Sequence, residues 1–396
     1  MEPAGAAETS LSESELVRPG SRAARWTRFA AAALLLFGFL VGVRGLCCGF
    51  MLFGDDLVGS FFAATSNPFV GLAIGILGTA IVQSSGATTA MVVALVAAPE
   101  DPLPIANAVP MVMGANIGTT VTAKLVSLGQ VGNPVQFRRA FAASSCHDCF
   151  NLLATGLLLP LELLTGYLEK TSGVLVAVIP RGVTADLPDP VKVAADFVLV
   201  PVRDVVMALA PSQVVGATVM VLLAAALIVG SLVGLIRSLG KIASGRLEKC
   251  VANALDERPV TGMAVGAAAT VMVQSSSITT SLLIPFAATR IVTLEQAFPI
   301  VLGTNVGSTV TALIASMGAP PETFHLGVQI SLVHLMFNLT GIILIFPVRR
   351  IRQIPLNMAR KMGEIASRSS LIPVFIVLFL FFLLPGALTF LYQVLR

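Results

Sequence analysis

Residues 271–286 read VMVQSSSITTSLLIPF. One glutamine and six hydroxyl side chains sit in a run that is otherwise as apolar as the middle of a bilayer. An unpartnered hydroxyl in apolar surroundings costs roughly 1–3 kcal/mol, so six would cost on the order of ten. Back-bonding to the preceding helical turn relieves scattered residues such as Thr88 or Thr280. It does not explain why glutamine and serines occur as a block, and that block recurs.

PFVGLAIGILGTAIVQSS (68–85) aligns with PVTGMAVGAAATVMVQSS (259–276), keeping the proline, two glycines, threonine, valine, glutamine and both serines in register. GANIGTTVT (114–122) matches GTNVGSTVT (303–311), and HDCFN (147–151) matches HLMFN (334–338). The offsets are 191, 189 and 187 residues, close to half the chain. Two halves that share a Gly/Pro-interrupted polar segment follow the plan of secondary transporters, with the substrate site where the halves meet.

The surrounding composition sets the solvent. Of 396 residues, 56% are hydrophobic and 12% charged, against about a quarter charged in soluble domains, and the mean hydropathy is +0.89. Apolar runs predict spans near 29–53, 68–97, 104–128, 141–164, 214–236, 262–288, 298–317, 326–348 and 371–391. The fold expected is an all-α polytopic membrane protein of two repeats. Broken helices or re-entrant hairpins meet at a central site, and transporter precedent favours inverted repeats. The divisions are a tail (1–28), a first repeat with QSS (29–168), a connection (169–211), and a second repeat with QSSS and a final span (212–396).

Arg18, Arg22, Arg25 and Arg28 precede the first apolar run, and no small-x-small cleavage site follows it. The positive-inside rule then places the N-terminus and the basic loop 349–368 in the cytoplasm. A net charge of +4 gives no reason to invoke nucleic acid. Cys47, Cys48, Cys146, Cys149 and Cys250 form no disulfide framework and read as small buried thiols. Cys146 and Cys149 make half a zinc site without a second pair. No Ser/His/Asp or Cys/His arrangement suggests an enzyme.

A helix broken at QSS exposes N–H groups at one half-helix N-terminus and C=O groups at the other's C-terminus. The first suits an anion; the second, with Gln, Ser and Thr oxygens, suits a small cation. GxNxGxTxT adds glycines for irregular backbone and hard oxygen ligands. No arginine lies inside these segments, so an anion would be held by neutral donors and co-bound cations, reversibly. Ionisable groups within apolar runs are functional candidates. Asp148 replaces what is Leu335 in the second copy, and either serves the site or pairs with water, Arg138 or Arg139. Lys124 stands where the second copy has Leu313, and either snorkels or pairs with Asp148. His147 and His334 fit structural hydrogen bonding as readily as proton handling.

With these motifs the chain resembles the type II sodium–phosphate cotransporter family. The matching segments are VQSSGATT (82–89), MGANIGTTVT (113–122), FRRAF (137–141), CHDCFNLLATGLLLPLE (146–162), VQSSSITTSLLIP (273–285), LGTNVGSTVTALIASM (302–317) and VHLMFNLTGIILIFPVRRIRQIPLNMARKMG (333–363). The resemblance implies an inverted-repeat carrier that moves inorganic phosphate inward on the sodium gradient, with no cofactor beyond co-transported Na+. It implies phosphate at Ser84, Ser85, Ser275, Ser276 and Ser277. One sodium would lie with Gln274, Ser275, Ser308 and Thr311. Another would use the positions occupied here by Gln130, Asn133, Asn151 and Thr304, and Gln83, Thr119 and Asn305 join the sodium-binding set. Where the family has aspartate at the position of Asp148, transport is electrogenic with an additional sodium; where it has glycine, it is electroneutral. The aspartate here implies a sodium ligand and net current.

Some positions depart from animal members. Gly86 replaces a serine, Lys124 a threonine, and Asn133 an aspartate. The connection between halves is short and lacks the animal members' glycosylated, disulfide-bonded loop. One span follows the basic segment where they have one more. These features look like a bacterial-type, multi-pass protein of the inner membrane. Two other readings share the sequence: a sodium-coupled carrier of another small anion such as sulfate, and a non-transporting membrane scaffold.

Overall fold

The computed structural model describes residues 22–53, 63–178, 190–254, 259–369 and 371–395. All regular elements among them are helical. Residues 1–21 of the expected tail, and 179–189 of the expected connection, lie outside the described residues.

The first half comprises α1 (Arg22–Met51), α2 (Pro68–Val82), α3 (Ser85–Val96), α4 (Ile105–Gly118), α5 (Val121–Leu128), α6 (Pro134–Thr165) and α7 (Tyr167–Val178). After α8 (Pro190–Leu209), the second half follows with α9 (Gln213–Ala254), α10 (Pro259–Val273), α11 (Ser276–Ala288), α12 (Leu294–Ser316) and α13 (Phe324–Ile345). The amphipathic α14 (Arg349–Ala366), α15 (Leu371–Leu378), a π-helical turn and α16 (Leu384–Leu395) complete the chain. Among the described residues, five stretches are long and apolar enough to cross a bilayer: Pro134–Thr165, Gln213–Gly234, Leu294–Ser316, Phe324–Ile345 and Leu371–Tyr392.

The runs 68–97 and 262–288 are not single spans. Each is a hairpin of two short helices, and the longest arm, at 15 residues, reaches only about 22 Å against a hydrocarbon core of about 30 Å. Gln83 takes left-handed backbone (φ 58) and Ser84 is extended (φ −150, ψ 106). That sequence of conformations reverses the chain and sets Gly78 of α2 against the Thr88 side chain of α3. Gln274 (φ 54) and Ser275 (φ −151, ψ 109) do the same in the second half. There the hydroxyls of Thr270 and Thr279 lie 3.4 Å apart across the hairpin.

Each hairpin is locked to the next helix of its own half by a pair of glycines. A Cβ on Gly75 would overlap the Met111 carbonyl, and one on Gly114 the Leu72 carbonyl. In the second half Gly266 meets the Ile300 carbonyl and Gly303 the Met263 carbonyl in the same way. The backbones of α2 and α4, and of α10 and α12, therefore touch directly, as small residues permit between membrane helices.

The halves interlock. The second arm of each hairpin packs on the opposite half, α3 on α12 and α13, α11 on α5 and α6. α1 lies along α9, α14 along α6, and α13 along α7. Between these layers α4 and α12 are almost wholly buried.

Two expectations change in detail. The stretch 104–128 breaks at Thr119–Thr120 into α4 and α5, whereas its counterpart α12 runs unbroken. The basic stretch 349–368, expected as a loop, is mostly the amphipathic α14, which buries Leu356, Ala359 and Gly363 against α6. Within the connection, α8 packs on α1 and α9, and Asp196 pairs with Arg44 at 2.9 Å.

Candidate functional site

The two Gln-Ser tips face one cavity of about 150 Å³. Gln83, Ser84, Ser85 and Gly86 line one side, Gln274, Ser275, Ser276 and Ser277 the other, with Thr270, Ser308 and Thr311 between them. Val229, Leu232 and Val233 of α9 form an apolar wall. No charged side chain is among the lining residues.

A glutamine at a left-handed position is unusual, because that backbone costs a side chain about 1 kcal/mol that glycine avoids. The amide justifies it. Gln274 Nε2 donates to the Val271 carbonyl at 2.8 Å, and Gln83 Nε2 to the Ala80 carbonyl, closing the end of the first arm. Gln274 Oε1 accepts from Thr311 Oγ1 at 3.0 Å, and Gln83 Oε1 from Thr122 Oγ1 at 3.0 Å. Each tip is thus tied to the TVT segment of its own half. This bond is the physical link between two motifs that recur together in the sequence.

The serine after each glutamine caps the second arm. Ser84 Oγ accepts from the Ala87 N–H at 3.2 Å and Ser275 Oγ from the Ile278 N–H at 3.3 Å. Accepting there leaves each hydroxyl proton available to the cavity. The first N–H groups of α3 and α11 have no intrahelical partner, so two positive helix ends converge on one space. Ser308 and Thr311 have the opposite bias. Their protons go to the Asn305 carbonyl, at 2.7 Å, and to Gln274, leaving oxygen lone pairs exposed to a cation.

A second polar layer joins the halves. His147 Nε2 donates to Asn305 Oδ1, and Asn305 Nδ2 donates to Asn151 Oδ1 at 2.8 Å. By repeat equivalence, His334 Nε2 bonds Asn116 Oδ1 at 3.2 Å, and Asn338 Nδ2 donates to the same oxygen at 3.3 Å. Asn151 Nδ2 adds a bond to the Asn116 carbonyl at 2.8 Å. Each histidine therefore reads the asparagine of the other half's GxNxG block. The hydrogen-bonding role, one of two left open by sequence, is the one these contacts describe.

Of the residues singled out by sequence, the structure brings Gln83, Ser84, Ser85, Gln274, Ser275, Ser276, Ser277, Ser308 and Thr311 into one cavity. Asn151 and Asn305 belong to the buried cross-half layer instead. Thr304 and Thr119 are buried and back-bond to Val301, at 2.8 Å, and to Ala115, at 3.0 Å. Gln130 lies half-buried on the turn after α5, and Asn133 spends its side-chain oxygen capping α6. Asp148 lines a different, largely apolar cavity and pairs with Lys124. Snorkelling is therefore not what Lys124 does. Cys146 and Cys149 are buried free thiols; the side chains of Cys47 and Cys250 lie outside the described set.

Sequence reading overlooked Thr122, Asn116 and Asn338, although repeat alignment with Thr311, Asn305 and Asn151 could have found them. It also overlooked the α9 wall. Three apolar residues in an apolar span carry no signal that could reveal them.

Comparison with known proteins extends this picture. A family model described as Na+/Pi-cotransporter matches residues 34–160 and 227–372. Sodium-dependent phosphate transport protein 2A of Rattus norvegicus is 32% identical, over 89% of this chain and 65% of its own length. Sodium-dependent phosphate transport protein 2B of Homo sapiens is 30% identical, over 89% of this chain and 64% of its own length. The chain thus spans just under two thirds of these relatives. No solved structure matches it.

Proposed function

The chain belongs to the Na+/Pi-cotransporter family, and from that premise we propose that it carries inorganic phosphate into the cell by symport with sodium. The family is one of transporters, not enzymes. The observation that carries the reading is the convergence of two helix N-termini on an uncharged cavity. Phosphate sits between the tips, receiving bonds from the hydroxyls of Ser84, Ser85, Ser275, Ser276 and Ser277 and from the first N–H groups of α3 and α11. Sodium binds at oxygens beside it: Gln274, Ser275, Ser308 and Thr311 on one side, Gln83 on the other. Thr119, Gln130, Asn151, Thr304 and Asn305 are candidates for a further ion outside the cavity.

Charge explains the coupling. A fixed guanidinium in a low-dielectric site would hold phosphate too tightly for release, because Coulomb attraction there is several-fold stronger than in water. Neutral donors hold it only while cations share the site. Loss of sodium on the low-sodium side then releases both. Sulfate is the alternative cargo, and hydroxyl oxygens favour phosphate by accepting from its protonated oxygen, a bond sulfate cannot make. We place the carrier in a bacterial inner membrane with its N-terminus cytoplasmic and its two halves inverted.

Radiolabelled phosphate flux into proteoliposomes tests this. Uptake is expected to require an inward sodium gradient, to be competed by arsenate more than by sulfate, and to be abolished by Gln274→Ala. Uptake indifferent to sodium overturns the reading. Stronger competition by sulfate moves the cargo to that anion; no uptake of either anion, with folding and stability unaltered after substitution of both tips, supports the scaffold reading.

A further inference from the structure

The first half buries an ion pair where the second half has leucines at both equivalent positions. Lys124 is 0% exposed and Asp148 1%. The ammonium contacts the Asp148 carboxylate, donates to Ser145 Oγ at 2.8 Å, and stands 4.6 Å from the centre of the Phe141 ring. Positions 141, 145 and 148 share one face of α6, so a single stripe receives the lysine. Beyond the lysine, neither carboxylate oxygen has a hydrogen-bond donor, and Asp148 borders an apolar cavity of about 410 Å³ with Leu72, Ile76 and Leu152.

Burying two charges is expensive, and well-packed apolar replacements are often as stable or more so. Leu313 and Leu335 stand at the corresponding positions of α12 and α13. The repeat architecture therefore does not require charge there, and Asp148 directly follows the histidine that reaches into the opposite half.

We propose that Lys124 is a built-in cation. Its ammonium takes the place beside Asp148 that a transported sodium would otherwise fill, so each phosphate moves with one sodium fewer and without net charge. This rests on the sodium–phosphate symport reading and reverses the expectation, drawn from resemblance, that Asp148 makes transport electrogenic. The charge balance is indifferent to where the shared proton lies. Ammonium with carboxylate, or amine with carboxylic acid, sums to zero.

The test measures labelled phosphate uptake and charge movement on the same proteoliposomes under a sodium gradient. The intact protein is expected to take up phosphate with no phosphate-evoked current. Lys124→Thr frees the carboxylate: current then accompanies uptake, the sodium dependence steepens by one ion, and sodium raises this variant's melting temperature more than that of the unaltered protein. The double variant Lys124→Leu/Asp148→Leu has no charge at the position and is expected to transport without current. An inward current in the intact protein overturns the inference while leaving symport standing. So does a Lys124→Thr variant that transports with no current and an unaltered sodium response. If Lys124→Thr does not fold, the current of the intact protein and of the double variant decides. Absence of any sodium-driven uptake overturns the symport reading, and this inference with it.

Discussion

The two halves of this chain are built on one plan and differ at few places that matter. Both fold a QSS hairpin, weld it to the following helix through glycines, and send a histidine to the other half's asparagine. They differ where the first half breaks α4 from α5 while α12 runs on, carries Lys124 and Asp148 in place of leucines, and has Gly86 opposite Ser277. The shared features build the two tips and bond one half to the other. Of the divergent ones, the break at Thr119–Thr120 alters the backbone, while Lys124, Asp148 and Gly86 alter charge or hydrogen-bond donors. Repetition thus supplies the cradle, and departures from it supply the buried charge.

The largest effect expected falls on the charged pair. Asp148→Leu alone strands a buried ammonium and should cost about 3–5 kcal/mol, seen as a large drop in the detergent melting temperature. Adding Lys124→Leu, which copies the second half, should restore most of it. If the double variant is no more stable than the single, the halves are not interchangeable at this contact.

Next come the glycine welds. Gly75→Ala and Gly266→Ala should each cost about 1–3 kcal/mol by overpacking, and by similar amounts, because each Cβ meets a backbone carbonyl. A marked inequality in their unfolding midpoints would show that one hairpin is seated less firmly than the other.

At the tips, Gln83→Gly and Gln274→Gly should be more stable than the matching alanine variants by about 1 kcal/mol, since glycine relieves the left-handed backbone. All four variants lose the Thr–Gln bond, so sodium-dependent uptake should fall in all of them. Stability and transport would separate. The smallest effect belongs to Gly86→Ser, which adds a hydroxyl to the first tip. The new Cβ would lie 3.1 Å from a Thr311 methyl, so a change of only a few-fold in the KM for phosphate is expected, against a larger loss for Ser277→Gly.

Much of this could be read from the chain because repetition turns single residues into comparisons. The 191-residue offset marked both tips, and the structure brings them to one cavity. What stayed hidden has physical reasons. Hydropathy cannot tell a long span from two short arms folded back, since Pro68–Val82 and Ser85–Val96 are as apolar as a true crossing. Pairing with Asp148 is one of two readings for Lys124, and no helical period can choose it, because the two residues lie 24 positions apart on α5 and α6. Gln130, Asn151 and Thr304 are joined by resemblance, not by any periodicity that would bring them together.

The glycine contacts carry a consequence for motion. Where backbone presses on backbone, with no side chain between to change rotamer, two helices have no soft joint. Under the symport reading, each hairpin is expected to travel with α4 or α12 as a solid piece and not to swing open like a flap. The cavity's remaining wall, the smooth aliphatic face of Val229, Leu232 and Val233, offers no directional bonds to break. Under the symport reading, a loaded cradle would slip along such a face as a piston moves along a cylinder.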